Sequence, residues 1–331
     1  MSDNKMSKPL STIVFIVPYF GHFNNYFDFW LNSCANNPTI DWLIFTDCKD
    51  KHDYPGNVKV VYTTFDEIRA CFQSFYDFPI SLDKPYKLCD FRPAYGEIFY
   101  EYIKDYDFWG FCDVDLIWGK LRTFLTDEIL NKYIKIGMYG HCCLIKNEEK
   151  YNKMYMLSYS DIPNYRQVFS SNLAFCFDET RCFNEFFLRS GLNVYRLGSC
   201  FDVCTDYHCF LPASSHLPRD YMGIRTAVFD YYNGKLVCYY DTEYKTIASA
   251  EVMYVHLQKR PMKILTSDMD CFSIVPNMFV KRVTGWNYSL INIKAPRRLF
   301  YSHFIKWRLK YYILKVLNKN QPKFFQYKMG K

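Results

Sequence analysis

The stretch Asp107-Phe-Trp-Gly-Phe-Cys-Asp-Val-Asp-Leu-Ile-Trp-Gly119 sets two carboxylates, Asp113 and Asp115, between two apolar runs. The first run, Phe108–Phe111, reads as a buried strand. Residues i and i+2 of an extended chain share a face, and a turn at the strand's end lets both carboxylates converge on one divalent ion. Hard oxygen donors favour Mg2+ or Mn2+, ions commonly shared with substrate phosphates. Asp-x-Asp by itself is frequent in solvated loops. The apolar frame sets this copy apart, because acids carried into such surroundings cost free energy unless something pairs with them. In open α/β sheets, ligands bind outside the carboxyl ends of the strands, where this pair falls.

On the N-terminal side, strands and helices alternate. Ile13–Pro18 is a short β-branched run closed by a proline and the turn Tyr19-Phe20-Gly21. Asn25–Ala35 has helical spacing of Phe27, Trp30, Leu31 and Cys34. Asp41–Thr46 and Val58–Thr63 read as further strands, and Thr64-x-x-Glu67 as a capping box opening a helix. Residues 86–104 predict one longer helix, with Pro93 at a kink or an early turn. Downstream come a helix over 121–133 and a strand over Ile136–Ile145. This rhythm predicts an α/β fold with a mostly parallel sheet and helices on both faces. Shorter strands follow near 194–197, 226–229, 236–240 and 252–257.

Composition sets bounds on the rest. The 331 residues suit one large domain, and half of them are hydrophobic, enough for a sizeable core. No apolar window approaches the roughly 20 residues of a membrane span, and Ile13–Val17 is too short for a secretory segment, so a cytoplasmic protein is expected. The 14 Cys fit that placement as free thiols. The net charge of +7 is unevenly spread: no acidic residue follows Asp270, and the last 61 residues carry 13 Lys or Arg. Within them, 299–317 has an amphipathic helical pattern, so 271–331 reads as a basic helical extension that either lies on an anionic membrane face or packs its apolar side on the rest of the protein with its lysines solvated. No nucleic-acid-binding module accompanies the charge, and a nucleic-acid partner is not expected.

Two further groups bear on chemistry. Lys87, Asp90 and Arg92 lie in Tyr86-Lys-Leu-Cys-Asp-Phe-Arg-Pro-Ala-Tyr95; the cations could neutralise a diphosphate and the acid accept from a ribose or sugar hydroxyl, or the three could form ordinary salt bridges. His256-Leu-Gln-Lys259-Arg260 follows the strand Val252–Val255. Its imidazole could be a third ligand for Mn2+ or, as a lone histidine more often is, a structural hydrogen-bonding residue, and Lys259 could hold pyrophosphate.

Taken in order, Tyr19-Phe20-Gly21 with Asn25-Tyr-Phe27, Asp41-Trp-Leu-Ile-Phe-Thr-Asp47, Lys87-Leu-Cys-Asp-Phe-Arg-Pro-Ala-Tyr-Gly96, Asp113/Asp115 and His256-Leu-Gln-Lys259 resemble bacterial glycosyltransferase-like proteins of capsule and lipopolysaccharide synthesis clusters. The resemblance spans about residues 13–260. It implies a GT-A fold over 10–270, Rossmann-like, with 10–145 binding a nucleotide-sugar and 146–270 an acceptor. By position it implies nucleotide contacts from Tyr19, Phe20 and Asp47, and a metal shell of Asp113, Asp115 and His256. His141, in Gly140-His-Cys-Cys143, could line the donor-sugar pocket. The implied activity is metal-dependent transfer of a hexose, from a UDP-sugar by expectation, to a saccharide or lipid-linked saccharide; the membrane-facing reading of the tail would place the protein on the inner face of the plasma membrane. Asp178, Glu179, Asp202, Asp206 and Asp220 are candidates for a base or an acceptor contact, and spacing does not choose among them. A non-catalytic sugar- or nucleotide-binding partner in an assembly complex is the competing reading. A nucleotidyltransferase ranks below both, because Pro18-Tyr-Phe-Gly-His-Phe-Asn24 is not a Gly-rich, Arg- and Lys-bearing loop.

Overall fold

The computed structural model describes residues 10–179, 181–205, 207–213, 224–241 and 245–294. Asp206, Asp220 and the segment 299–317 lie outside them.

Ile13–Pro18 (β1) is apolar at every position and is buried on both sides. Ile13, Phe15 and Val17 pack with Trp30 of the helix Phe27–Ala35 (α1), whereas Val14 and Ile16 pack with Phe72 of Phe65–Gln73 (α2). A strand buried on both faces belongs inside a parallel sheet. β1 pairs in parallel with Ile40–Thr46 (β2) on one side and Phe108–Cys112 (β4) on the other, and Val58–Tyr62 (β3) extends the sheet beyond β2. The capping box forms as expected: Glu67 accepts from the Thr64 amide at 2.7 Å, and the Thr64 hydroxyl accepts from the Glu67 amide at 3.2 Å.

Beyond β4 the sheet changes direction. The single strand expected over 136–145 is a hairpin of Lys135–Tyr139 (β6) and Cys142–Lys146 (β7), turned at Gly140-His141. Gly137, at φ +85°, introduces a register shift in it. The apolar run hid a two-residue turn. β7 lies antiparallel to β4, and Val194–Tyr195 (β8) closes the order β3-β2-β1-β4-β7-β6-β8. The outcome is the expected α/β architecture, a parallel-rich central sheet covered by helices.

Two smaller sheets complete the molecule. Leu116–Trp118 (β5), Cys200–Asp202 (β9) and Tyr254–His256 (β13) form one, with β13 central, antiparallel to β5 and parallel to β9. The other is largely antiparallel, in the order β12-β11-β10-β15-β16-β14. Its strands are Ala227–Tyr232 (β10), Lys235–Asp241 (β11), Ile247–Glu251 (β12), Lys263–Leu265 (β14), Cys271–Val275 (β15) and Met278–Lys281 (β16). The expected division after residue 270 falls inside this sheet. Phe272 and Ile274 alternate into its core, so 271–281 are strands rather than the start of a helical extension.

The helix expected over 86–104 is broken into turns: 3-10 at Pro85–Lys87 and Arg92–Ala94, α-helical at Leu88–Phe91, Tyr95–Ile98 and Tyr100–Ile103. Pro93 has no amide to continue a helix. Three charged side chains of the segment also turn toward buried partners instead of solvent.

Candidate metal and nucleotide site

The parallel strands β1, β2 and β4 end at one edge, which gathers Tyr19-Phe20, Asp47 and Asp113 there. After β4 the chain turns, held by two anchors: the Asp113 amide donates to the His141 carbonyl at 3.1 Å, and the Asn24 side chain donates to the Val114 carbonyl at 2.8 Å. β5 then leads away beside β13. In register, His256 stands opposite Leu116 on one flank and Asp202 on the other. Sheet pairing thus carries a histidine from far downstream in the chain to the two acids.

Each acid has one oxygen tied by the protein and one left facing His256. Asp113 Oδ1 accepts from the Arg92 guanidinium, and its Oδ2 lies 3.6 Å from His256 Nε2. Asp115 Oδ2 accepts from the Lys259 amide, and its Oδ1 lies 3.3 Å from the same nitrogen. Behind the imidazole, Nδ1 meets Asp202 Oδ1 at 2.8 Å, and Gln258 also donates to that oxygen. A carboxylate on Nδ1–H fixes the tautomer that leaves Nε2 as the ligand nitrogen. Two carboxylate oxygens and one imidazole nitrogen, all within 4.8 Å of one another, are a donor set that fits Mg2+ or Mn2+.

The charges are strongly interdependent. Burial alone would lower the His256 imidazole, but the Asp115 and Asp202 carboxylates reverse this and hold it well above its usual range. Burial would raise Asp115, and His256 with Lys259 holds it below the ordinary carboxylate value instead. Burial opposes the charge on Arg92, yet Asp113, with Asp178 among its neighbours, keeps it firmly protonated.

Asp113, Asp115 and Lys259 line a cavity of about 350 Å³, with Tyr19, Phe20, Tyr86 and Arg92 on its walls. Gln258 and Lys259 both have φ of +56°, a left-handed conformation that costs free energy in residues with a Cβ. That backbone presents the Lys259 amide to Asp115.

Several expectations are corrected. Lys87 is buried with its ammonium on Asp90 (2.9 Å) and the carbonyls of Val168 (2.9 Å) and Leu173 (2.5 Å). Asp90 also accepts from the amides of Phe175 (2.9 Å) and Phe177 (2.8 Å). The pair clamps the segment 168–177 and does not line the cavity. Arg92 does line it, but its charge is shared between Asp113, Asp178 and the Gly140 carbonyl, so it positions an acid rather than waiting for a diphosphate. Asp47 holds the Gly21 amide at 2.8 Å and so shapes the loop after β1 from outside the cavity wall. His141 is buried behind the acids, its Nδ1 3.0 Å from the Tyr254 hydroxyl, and does not line the cavity either. Asp178 is tied to Arg92 at 3.0 Å, and Asp202 serves His256, which removes both as free bases. Glu179 has no place on the cavity wall. Asn24 and Tyr86 were not singled out by sequence; Asn24 belongs to the loop after β1 and Tyr86 to the motif around Lys87, so proximity to recognised motifs was the available signal.

No helix of the described residues is long and apolar enough to cross a membrane, and all 14 cysteines are free thiols. Among solved structures, the chain resembles a galactosyltransferase, LgtC, in complex with donor and acceptor sugar analogs. Identity is 13% and TM-score 0.33, over 58% of this chain and 75% of that one. An active-site mutant of LgtC gives 13% and 0.30 over 58% and 74%. Mouse xyloside xylosyltransferase 1 in its apo form gives 7% and 0.32 over 59% and 88%. No curated protein matches the sequence. A sequence profile matches residues 15–283, and the chain belongs to the family it describes, a family of unknown function, DUF6625.

Proposed function

We propose that the chain is a metal-dependent glycosyltransferase that moves a hexose from a nucleotide-diphosphosugar, a UDP-sugar in the first instance, to a saccharide or lipid-linked saccharide of a surface polysaccharide. One observation carries the reading: Asp113 Oδ2, Asp115 Oδ1 and His256 Nε2 converge at the end of a parallel-sheet strand, beside a cavity with aromatic walls and a lysine at its edge. Such a donor set suits a cation shared with phosphate oxygens.

A bound Mg2+ or Mn2+ would supply positive charge beside the departing nucleoside diphosphate. The chain's own residues do the remaining work. Arg92 and the Lys259 amide hold the two carboxylates in place, and Asp202 fixes the imidazole, so the site needs little reorganisation as charge develops. Lys259 adds a cation at the cavity edge, while Tyr19 and Phe20 give an apolar wall for the nucleoside. The reading keeps the protein in the cytoplasm, where nucleotide-sugars are the donors.

The test is hydrolysis of a panel of UDP-, GDP- and CMP-sugars, each with Mn2+, with Mg2+ and with EDTA, for the wild type and Asp115→Ala. Metal-dependent release from one donor, lost in the variant, is expected. Silence across the panel with no donor-induced thermal shift would instead support a non-catalytic binding partner.

A further inference from the structure

Among the tyrosines and phenylalanine on the cavity wall, Tyr86 alone is largely open, 63% exposed, although Lys87 and Leu88 beside it are buried. Its place is nevertheless preset. It sits in the 3-10 turn Pro85–Lys87, where a proline fixes the entering backbone and the buried Lys87 ammonium pins the residue that follows. Its ring lines the same cavity as Asp113 and Asp115. Partial desolvation at that wall, and after it Cys89, Cys176, Asp178 and Asp113, raises its hydroxyl above the ordinary tyrosine range.

The ring carries a cation. Lys259 Nζ lies 4.9 Å from its centroid, and among the described residues this ammonium makes no ion pair. The same lysine's amide is fixed on Asp115 by two successive residues with left-handed backbone, so the side chain springs from a rigid point between the metal ligands and the ring. An ammonium over an exposed aromatic face is weakly held, and a phosphate oxygen is the stronger partner.

Resting on the nucleotide-diphosphosugar reading, we propose that the Tyr86 ring is the platform for the donor's pyranose, and that Lys259 covers this face only until a diphosphate draws it away. The C–H face of a pyranose is apolar and planar enough to lie on an aromatic ring, and the phenol hydroxyl can donate to a sugar oxygen. The two residues act in sequence: the diphosphate takes the lysine, and the uncovered ring takes the sugar. A donor that lacks either part engages only half of the pair.

Calorimetric titration in Mn2+ tests this with UDP, UDP-glucose, UDP-galactose and UDP-N-acetylglucosamine, against the wild type, Tyr86→Ala and Tyr86→Phe, with matching melting temperatures as the check on folding. For the UDP-sugar that the wild type binds more tightly than UDP, Tyr86→Ala is expected to lose about tenfold, an aromatic contact's worth, while UDP itself is held nearly as before. Tyr86→Phe, which keeps the ring, should retain most of that preference. Equal losses on UDP and the UDP-sugar, no loss on either, or a wild type that binds every UDP-sugar no better than UDP would overturn the platform. A wild type that binds neither UDP nor any UDP-sugar would overturn the nucleotide-sugar reading itself.

Discussion

Lys87 and Lys259 carry the same charge in two motifs of the same chain, and the surroundings give them different work. Lys87 sits in a protein interior that disfavours its charge, and burial lowers its pKa against the pull of Asp90. Removing it with Lys87→Met strands a buried carboxylate, which should cost about 3–5 kcal/mol in denaturant unfolding. Its effect on nucleotide affinity should be no larger than that loss of stability explains. Lys259→Met should do the reverse, leaving the unfolding midpoint in place and weakening binding of a nucleoside diphosphate. Asp202→Asn belongs to a third kind. It keeps the shape but no longer holds the imidazole as a carboxylate does, so Mn2+ affinity should fall about 10–100-fold, more than the accompanying drop in the melting temperature of the metal-free protein explains. Asp113 and Asp115 stood out because two apolar runs frame them, whereas His256 was singled out by the resemblance of its motif rather than by its place after a strand. Asp202 was not assignable: its partner lies 54 positions away, and only the pairing of β9 with β13 joins them. The motif around Lys87 was misread for a related reason, since sequence gives the charge of a side chain but not whether it faces solvent or a neighbouring loop.

At the scale of elements, close approach decides what the central sheet tolerates. A Cβ at Gly110 in β4 would lie 2.2 Å from the Cys143 carbonyl oxygen of β7, an encounter between two backbones with no flexible side chain to give way. Gly110→Ala should therefore destabilise by at least about 1–3 kcal/mol and lower cation affinity with it, because the same two strands end in Asp113 and His141. A melting curve with and without Mn2+ checks both. The strands β1 to β4 were readable because apolar runs of five to seven residues, broken only by Asp41 in β2 and Lys59 in β3 and set between turn signals, are distinctive. The β6–β7 hairpin was missed because Gly140-His141 interrupts an otherwise apolar stretch only briefly, even though glycine followed by one residue is a known hairpin turn. The stretch 86–104 misled through its helical spacing; its prolines and its three inward-turning charges break that helix into turns.

Over the whole molecule, the site exists because three layers of chain meet. The parallel edge supplies the acids, the three-stranded sheet supplies His256 and Asp202, and the clamp at Lys87, Asp90 and Arg92 ties the 168–178 segment to Asp113. Sequence reached the parallel core, but the six-stranded sheet depends on pairings such as β10 with β15, whose partners Phe229 and Ile274 lie far apart along the chain, and local patterns do not encode them. A cation that binds the folded chain alone should also stabilise the whole of it, by about 2.7 kcal/mol at a hundred times its dissociation constant. The most direct measurement is titration with Mn2+ followed by electron paramagnetic resonance of the free ion, on the full chain and on Asp115→Asn, with and without UDP. One Mn2+ per wild-type chain is expected, held more tightly when UDP is present, with loss of that site in the variant. Equal Mn2+ binding by both proteins, or none by either in the presence of UDP, would contradict it.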